Sequence, residues 1–246
     1  MRRAILITVL AVIAFAAILI ARMPAGWVVP APPSKLACAS TEGTLWNGSC
    51  TGLIVQGQAI GDVTWELHAA RLLAGKVAAH VTIARAGSGN AETSLESSFS
   101  GKRVTLSDLK ADFQTDPAML QALQSDMHGA VHLDLKHVEI DNEALLELQG
   151  HVEARDLSQT GGTPGSLGSY AVDFPGGSHP PQGKLRDLGG PMAVEGEVTL
   201  KGPSSVEVSG LVAPRESADP SLVSQLRILG TADAQGRRPF SLEYSF

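Results

Sequence analysis

The sequence predicts a mainly β protein, with one N-terminal transmembrane helix followed by an extended, twisted antiparallel β-sheet domain that carries two short helices. Three observations lead to this prediction. Apolar and polar residues alternate over most of the chain, one uncharged apolar run stands near its start, and two Asp-Pro segments interrupt the alternation. Of the 246 residues, 43% are hydrophobic and 18% are charged, a composition typical of a folded chain.

The apolar run covers residues 4–21 and follows Arg2 and Arg3. A helix of this length spans about 27 Å, close to the ~30 Å hydrocarbon core of a bilayer. The run is longer than the apolar part of a cleaved signal peptide and lacks a good cleavage site after it, so we expect a retained anchor. Because positive charges precede the helix, residues 1–3 are expected in the cytoplasm and the chain from about residue 25 on the other side of the membrane.

Residues 22–37 contain the proline-rich stretch PAPPS and are expected to form a stiff linker. The β-rich domain then covers residues 38–246, with a candidate subdomain break near residue 160. Two flexible loops are predicted in that region, at 159–169 and 175–183, because both are rich in glycine.

The chain has two cysteines, Cys38 and Cys50. In an oxidising compartment two such cysteines are expected to pair, and a disulfide over this short loop stabilises a fold by roughly 3 kcal/mol. A metal site is disfavoured because no histidine or third cysteine lies nearby to complete a tetrahedron. Asn47-Gly48 predicts a two-residue hairpin turn, and the disulfide then requires a second reversal at Thr41–Gly43.

Strands are predicted wherever alternation persists. The predicted strands cover residues 53–56, 63–67, 77–83, 92–99, 104–113, 130–140, 145–155, 170–174, 194–200, 205–212 and 240–246. Val131, Leu133 and Leu135 illustrate the pattern, since polar residues separate them. Such alternation is typical of an antiparallel sheet with one solvated face.

The two short helices are predicted to begin at Asp116 and Asp219. In each segment the aspartate is a candidate N-cap and the following proline occupies the first helical position, where its missing N–H costs nothing. Apolar residues then recur at helical spacing. The likeness of the two segments leaves open a duplicated strand–helix–strand unit.

The sequence offers little for catalysis or ligand binding. The net charge of −6 argues against nucleic acid as a partner, and no nucleophile, phosphate-binding or metalloprotease motif occurs, so we expect no enzyme and no cofactor. Five residues cluster in and just before the predicted strand at 130–140: His128, His132, Asp134, His137 and Glu139. Strand parity places His137 on the opposite face from His132, so a solvated strand face is favoured over a metal site.

The motif Gly43, Thr44, Leu45, Trp46, Asn47, Gly48 follows a proline-rich exit from the predicted membrane helix. Leu188–Pro191 comes later, and so does the segment Leu229–Arg237 before a terminal strand. In this order these features resemble protein N of the bacterial type II secretion system, and the motif Gly43–Gly48 is the most specific of them. The Cys38–Cys50 pair is not part of this resemblance.

The resemblance implies a non-enzymatic, single-pass inner-membrane protein with its β-rich domain in the periplasm. Such a protein belongs to the apparatus that exports folded exoproteins across the outer membrane. Its implied partners are inner-membrane platform proteins (C, L and M by their family letters) or the outer-membrane secretin. A rival hypothesis is an AsmA-like lipid-handling protein, in which Val131, Leu133 and Leu135 would face an open apolar groove.

Overall fold

The computed structural model describes residues 2–27, 36–55, 57–85, 89–115, 127–142, 144–159, 165–202 and 205–245. The chain divides into two compact units, Met1–Ala86 and Gly87–Phe246. Strands dominate both units and all of their pairings described below are antiparallel, which confirms the mainly β prediction.

The first unit combines the N-terminal helix with a small sheet. Its elements are α1 (Arg2–Ala21), a 3-10 turn (Ala25–Trp27), β1 (Leu36–Ala37), β2 (Ser40–Gly43), β3 (Asn47–Val55), β4 (Gln58–Leu67), α2 (Ala69–Leu72) and β5 (Lys76–Arg85). Both β1 and β2 pair with the same side of β3, so together they form an interrupted edge strand. β4 pairs with β3 and with β5.

The second unit is a meander in which each strand pairs with the next along the chain. Its elements are β6 (Gly89–Ser98), β7 (Arg103–Gln114), β8 (Met127–Asp141), β9 (Ala144–Gln159), β10 (Gly165–Pro175), β11 (Gln182–Gly189), β12 (Met192–Gly202), β13 (Ser205–Pro214), α3 (Pro220–Leu226), a 3-10 turn (Arg227–Leu229) and β14 (Arg238–Ser245). One face of this meander is apolar and carries the core. Its buried members are Leu135, Val138, Leu148, Phe174 and Val198.

A β-bulge keeps the apolar residues of β8 on one face. The pairing with β9 shifts between Leu135 and His137, so Val138 returns to the face of Leu135 although three positions separate them. His137 consequently lies on the polar face with His132. The parity argument that placed His132 and His137 on opposite faces is therefore wrong.

The predicted helix at Asp219 is confirmed: the side chain of Asp219 accepts from the backbone N–H of Ser221 at 2.8 Å, and Pro220 opens α3. The segment at Asp116 lies outside the described residues. The sequence missed α2, β1, β2 and β11. Both predicted loops are too long, because β10 begins at Gly165 and β11 at Gln182.

Among the described residues, no helix is both long and apolar enough to span a membrane. The transmembrane segment at residues 4–21 stays a prediction.

Candidate functional site

The motif Gly43–Gly48 forms the junction between β2 and β3. Gly43 pairs with Gly48, and a loop over Thr44–Trp46 joins them. The backbone N–H of Thr44 donates to Asn47 O at 2.8 Å, and Asn47 N–H donates to Thr44 Oγ1 at 3.2 Å. The predicted turn at Asn47-Gly48, with a second reversal at Thr41–Gly43, is therefore wrong: one reversal lies between those two positions.

Packing explains why a glycine occupies position 48 although this position is not part of a turn. A Cβ on Gly48 would lie 2.6 Å from Cζ2 of Trp65, the β4 residue that pairs with Gly48. The indole ring thus lies directly over the Gly48 backbone. Gly43 is the residue with turn-like dihedrals, at φ +82°.

A disulfide joins Cys38 to Cys50, with the Cα atoms 5.6 Å apart. Cys38 lies between β1 and β2, while Cys50 lies in β3 and is only 3% exposed. Beside the bridge, Ala39 N–H donates to Thr51 O at 2.9 Å. The bond therefore fastens the interrupted edge strand to β3 where the regular ladder is broken.

The motif also holds the end of α1. Trp46 Nε1 donates to Ile20 O at 2.8 Å, and Leu45 N–H donates to Met23 O at 2.8 Å. The last carbonyls of a helix have no partner within the helix, so the indole N–H satisfies one of them. Trp65 Nε1 in turn donates to Leu45 O at 3.0 Å, which supports the loop from the β4 side.

The chain after α1 contacts the same motif. Pro24 forms an isolated bridge with Thr44, and Ala25 is 1% exposed. The first residues of the predicted linker at 22–37 therefore pack against the sheet. Residues 28–35, which include PAPPS, lie outside the described residues.

The Leu188–Pro191 block is organised by an ion pair. Asp187 accepts from Arg215 Nη2 at 2.5 Å and from the backbone N–H groups of Gly189 and Val194 at 3.2 Å. Burial opposes ionisation of Asp187, but Arg215 and the backbone donors outweigh it, so the pKa of Asp187 is lowered. Arg215 also donates to Met192 O at 3.1 Å. The block is therefore a fixed turn between β11 and β12.

Asp233 organises the segment before β14 in the same way. Its carboxylate accepts from the backbone N–H groups of Gln235 and Arg237 and from Arg237 Nε, at 2.8–2.9 Å. This arrangement closes a turn that directs the chain into β14. The role of Asp233 in the described structure is structural.

An apolar cavity of about 320 Å³ lies on the apolar face near the end of the meander. The side chains around it are Tyr170, Leu185, Met192, Val194, Val212, Leu226, Leu229, Phe240 and Leu242. Pairing places Gly196 and Gly210 between Leu185 and Phe240, so two neighbouring strands contribute no side chain there. Sequence reasoning missed this cavity; the only signal was a glycine in each of two alternating strands.

The opposite face carries a ladder of alternating charge, which we call the charge ladder. Directly paired residues on consecutive strands from β6 to β12 form it: Glu92, Lys110, Asp134, His151, Asp173, Lys184 and Glu197. Lys136 Nζ also donates to Asp134 Oδ1 at 2.9 Å. The sign alternates strictly along the ladder when His151 is protonated.

His151 lies between two carboxylates. Its Nε2 is 2.8 Å from Glu153 Oε1 and its Nδ1 is 2.5 Å from Asp173 Oδ1. The hydrogen bond with Glu153, then that with Asp173, raises the pKa of His151 against the opposing effect of burial. His151 lowers the pKa of both carboxyl groups in return, helped by Arg155 at Glu153 and by Arg186 at Asp173.

The structure places the histidines and carboxylates of β8 in different clusters. His132 Nδ1 lies 2.5 Å from Asp112 Oδ1, and Asp134 belongs to the charge ladder. His137 instead joins Glu139 and Glu147, with ligand atoms within 4.8 Å of one another. Arg103 Nε is 3.4 Å from Glu139 Oε1 and competes with any cation for that carboxylate.

These features define a class of protein: an antiparallel β protein whose N-terminal helix is fastened to its first strands by a disulfide-closed motif. A family model described as "Type II secretion system (T2SS), protein N" matches residues 34–241, and the chain belongs to that family. The resemblance seen in the sequence is confirmed.

A curated relative agrees with this assignment. It is the "Type II secretion system protein N" of Vibrio cholerae serotype O1 (strain ATCC 39315 / El Tor Inaba N16961), 38% identical over 56 residues. That alignment covers 23% of this chain and spans 22% of the relative's length. No solved structure matches the chain significantly.

Proposed function

We propose that this protein is a non-enzymatic, inner-membrane-anchored component of the type II secretion apparatus. Its β-rich part works in the periplasm and supports export of folded exoproteins across the outer membrane. The observation that carries the proposal is the family match over residues 34–241. Platform proteins of the inner membrane or the secretin are its expected partners.

Anchoring is supported by the sequence at residues 4–21, which is uncharged and follows Arg2 and Arg3. The end of α1 adds a second argument. Trp46 donates to Ile20 O, and an indole with one polar edge is favoured at a membrane surface. The motif Gly43–Gly48 would then lie at headgroup level and join anchor to sheet directly.

A non-enzymatic role is supported by what the polar groups do in the described residues. Asp187, Asp219 and Asp233 hold turns or a helix cap, and three members of the charge ladder, Asp134, His151 and Asp173, have charged side-chain partners. The structure thus gives each of these six residues a structural partner.

Deletion of the gene in its host tests the proposal. We expect secreted enzymes to fall in the medium and to accumulate, folded, in the periplasm. Complementation with the intact gene should restore secretion. A variant that lacks residues 4–21 should be lost from the inner-membrane fraction. Unchanged secretion in the deletion strain would contradict the proposed role.

Lipid handling is the second candidate, and the cavity favours it. Among the described residues, the side chains that border the cavity are apolar apart from the Tyr170 hydroxyl, which donates to Leu167 O. Two of the residues proposed to face a groove do not support lipid handling, since Leu135 is 8% exposed within the core and Leu133 packs against that core. Mass spectrometry of the purified protein should reveal bound lipid if this reading is right, and a clean extract would exclude it.

A further inference from the structure

β14 is the last strand of the meander and pairs on one side with β13. In the part of the chain that the structure describes, the ladder ends there. Leu242 is 57% exposed and Tyr244 is 49% exposed, although both lie on the apolar face with Phe240. A long edge strand with exposed apolar side chains is a template for pairing with another strand.

Pro239 indicates which backbone groups of β14 point outward. Proline has no N–H, so in its pair with Leu211 it fits the position whose backbone faces away from β13. Antiparallel ladders alternate, so the backbones of Ser241, Glu243 and Ser245 face outward too. These three residues can donate to and accept from an added strand.

We propose that the outer edge of β14 binds β14 of a second copy of this chain, antiparallel and about a two-fold axis at Leu242. In that register Ser241 of each copy lies opposite Glu243 of the other, and both residues have outward-facing backbones. Phe240 lies opposite Tyr244 on the apolar face, and the two Leu242 side chains meet at the axis. Aromatic and apolar cross-strand pairs of this kind stabilise sheets.

The neighbouring registers are worse for definite reasons. Centring the axis on Ser241 places Pro239 opposite Glu243 on both sides of the axis, so within β14 only the central pair keeps both of its N–H donors. Centring the axis on Leu242 leaves both Ser241–Glu243 pairs intact and moves Pro239 to the ends of the paired strands, opposite Ser245. Centring it on Glu243 places two glutamates directly opposite one another, which is destabilising. The register centred on Leu242 is therefore the most favourable of these three.

The same register accounts for the open side of the apolar cavity. Phe240 and Leu242 border that cavity and also lie on the face that would continue into the second copy. Pairing at β14 would continue the apolar face of the sheet into the second copy, whose Tyr244, Leu242 and Phe240 would follow one another along the antiparallel strand. The exposed side chains of Leu242 and Tyr244 would thereby contact apolar side chains of the second copy.

Cysteine cross-linking of the full-length protein in membranes tests the register. Leu242→Cys should form disulfide-linked dimers, because non-hydrogen-bonded partners on the axis have Cα atoms about 4.5 Å apart. Ser241→Cys alone should not, since its partner is Glu243, but co-expressed Ser241→Cys and Glu243→Cys chains should cross-link. If Leu242→Cys forms no dimer, cross-links instead to another protein, or cross-links no better than Ser241→Cys, the proposal is overturned.

A charge pair at one position separates dimerisation from folding. Ser241→Glu places glutamates opposite one another at two symmetric sites, whereas Ser241→Lys places lysine opposite glutamate there. We expect the dimer dissociation constant to rise about five-fold in the first variant and to fall about five-fold in the second. Equal dissociation constants for the two variants, both with unchanged melting temperatures, would contradict self-pairing.

Discussion

His151→Gln should destabilise the protein in a way that depends on pH. Glutamine keeps the approximate size of histidine but cannot donate from a charged ring to both Glu153 and Asp173. The His151 side chain is 27% exposed, Glu153 is 15% exposed and Asp173 is 50% exposed. The Glu153 bond is thus worth about 1 kcal/mol and the more solvated Asp173 bond about 0.5 kcal/mol.

The sign of the pH dependence follows from the pKa directions. Because the pKa of His151 is raised on folding, its stabilising effect is complete below the unfolded value near 6.5 and is lost as pH rises through the higher folded value. The pKa values of Glu153 and Asp173 are lowered, so their share is present above about pH 4.5 and is lost on acidification. The largest effect of the substitution is therefore expected near pH 6.

Thermal unfolding of the full-length protein, followed by circular dichroism at pH 6 and pH 9, measures this effect. We expect His151→Gln to lower the melting temperature by about 3–5 °C at pH 6 and by clearly less at pH 9. His132→Gln is the matched control: His132 contacts one carboxylate, Asp112, and is 38% exposed, so a smaller loss is expected. An equal loss at both pH values for His151→Gln would refute the charged-ring explanation.

Three further predictions concern the disulfide, Gly48 and the cap of α3. Replacing Cys38 and Cys50 by serine should cost roughly 3 kcal/mol in the free energy of unfolding, and reduction of the wild type should reproduce that loss in a denaturant titration. Gly48→Ala should cost about 1–3 kcal/mol and change the fluorescence of Trp65, since its methyl group meets the ring; an unaltered emission spectrum would contradict the packing. Asp219→Ala should lower the free energy of unfolding through loss of the α3 cap, whereas Asp219→Asn, measured by the same titration, should cost much less.

The alternation of residues was enough to predict most strands, because a period of two survives wherever one face is buried. It failed at the Lys136–His137 bulge, since a bulge changes parity without an obvious local signal. It also failed at Asn47-Gly48. There the glycine is required by Trp65, a residue distant in sequence, and only the pairing of β3 with β4 reveals the reason.

The charge ladder shows a second limit of sequence reasoning. All of its members except Lys184, which lies in the unpredicted β11, were visible as polar residues on predicted strands, but the alternation of sign runs across strands and depends on six pairing registers. Bulges in β8 and β10 shift those registers by single residues. Helix capping at Asp219 was predictable because cap, proline and apolar spacing are all local.

The motif Gly43–Gly48 connects the end of α1 to the sheet through hydrogen bonds. Leu45 binds the chain after the helix through its backbone N–H, and Trp46 binds the helix end through its side chain. Because Gly48 has no side chain, the Trp65 ring packs against its backbone and donates from Nε1 to Leu45 O. This hydrogen bond fixes the loop that carries the Leu45 N–H and the Trp46 Nε1–H. The disulfide between Cys38 and Cys50 fastens the neighbouring edge strand to β3. Loss of the Trp46 donor should therefore loosen the helix end while the ladder between β3 and β4 stays intact.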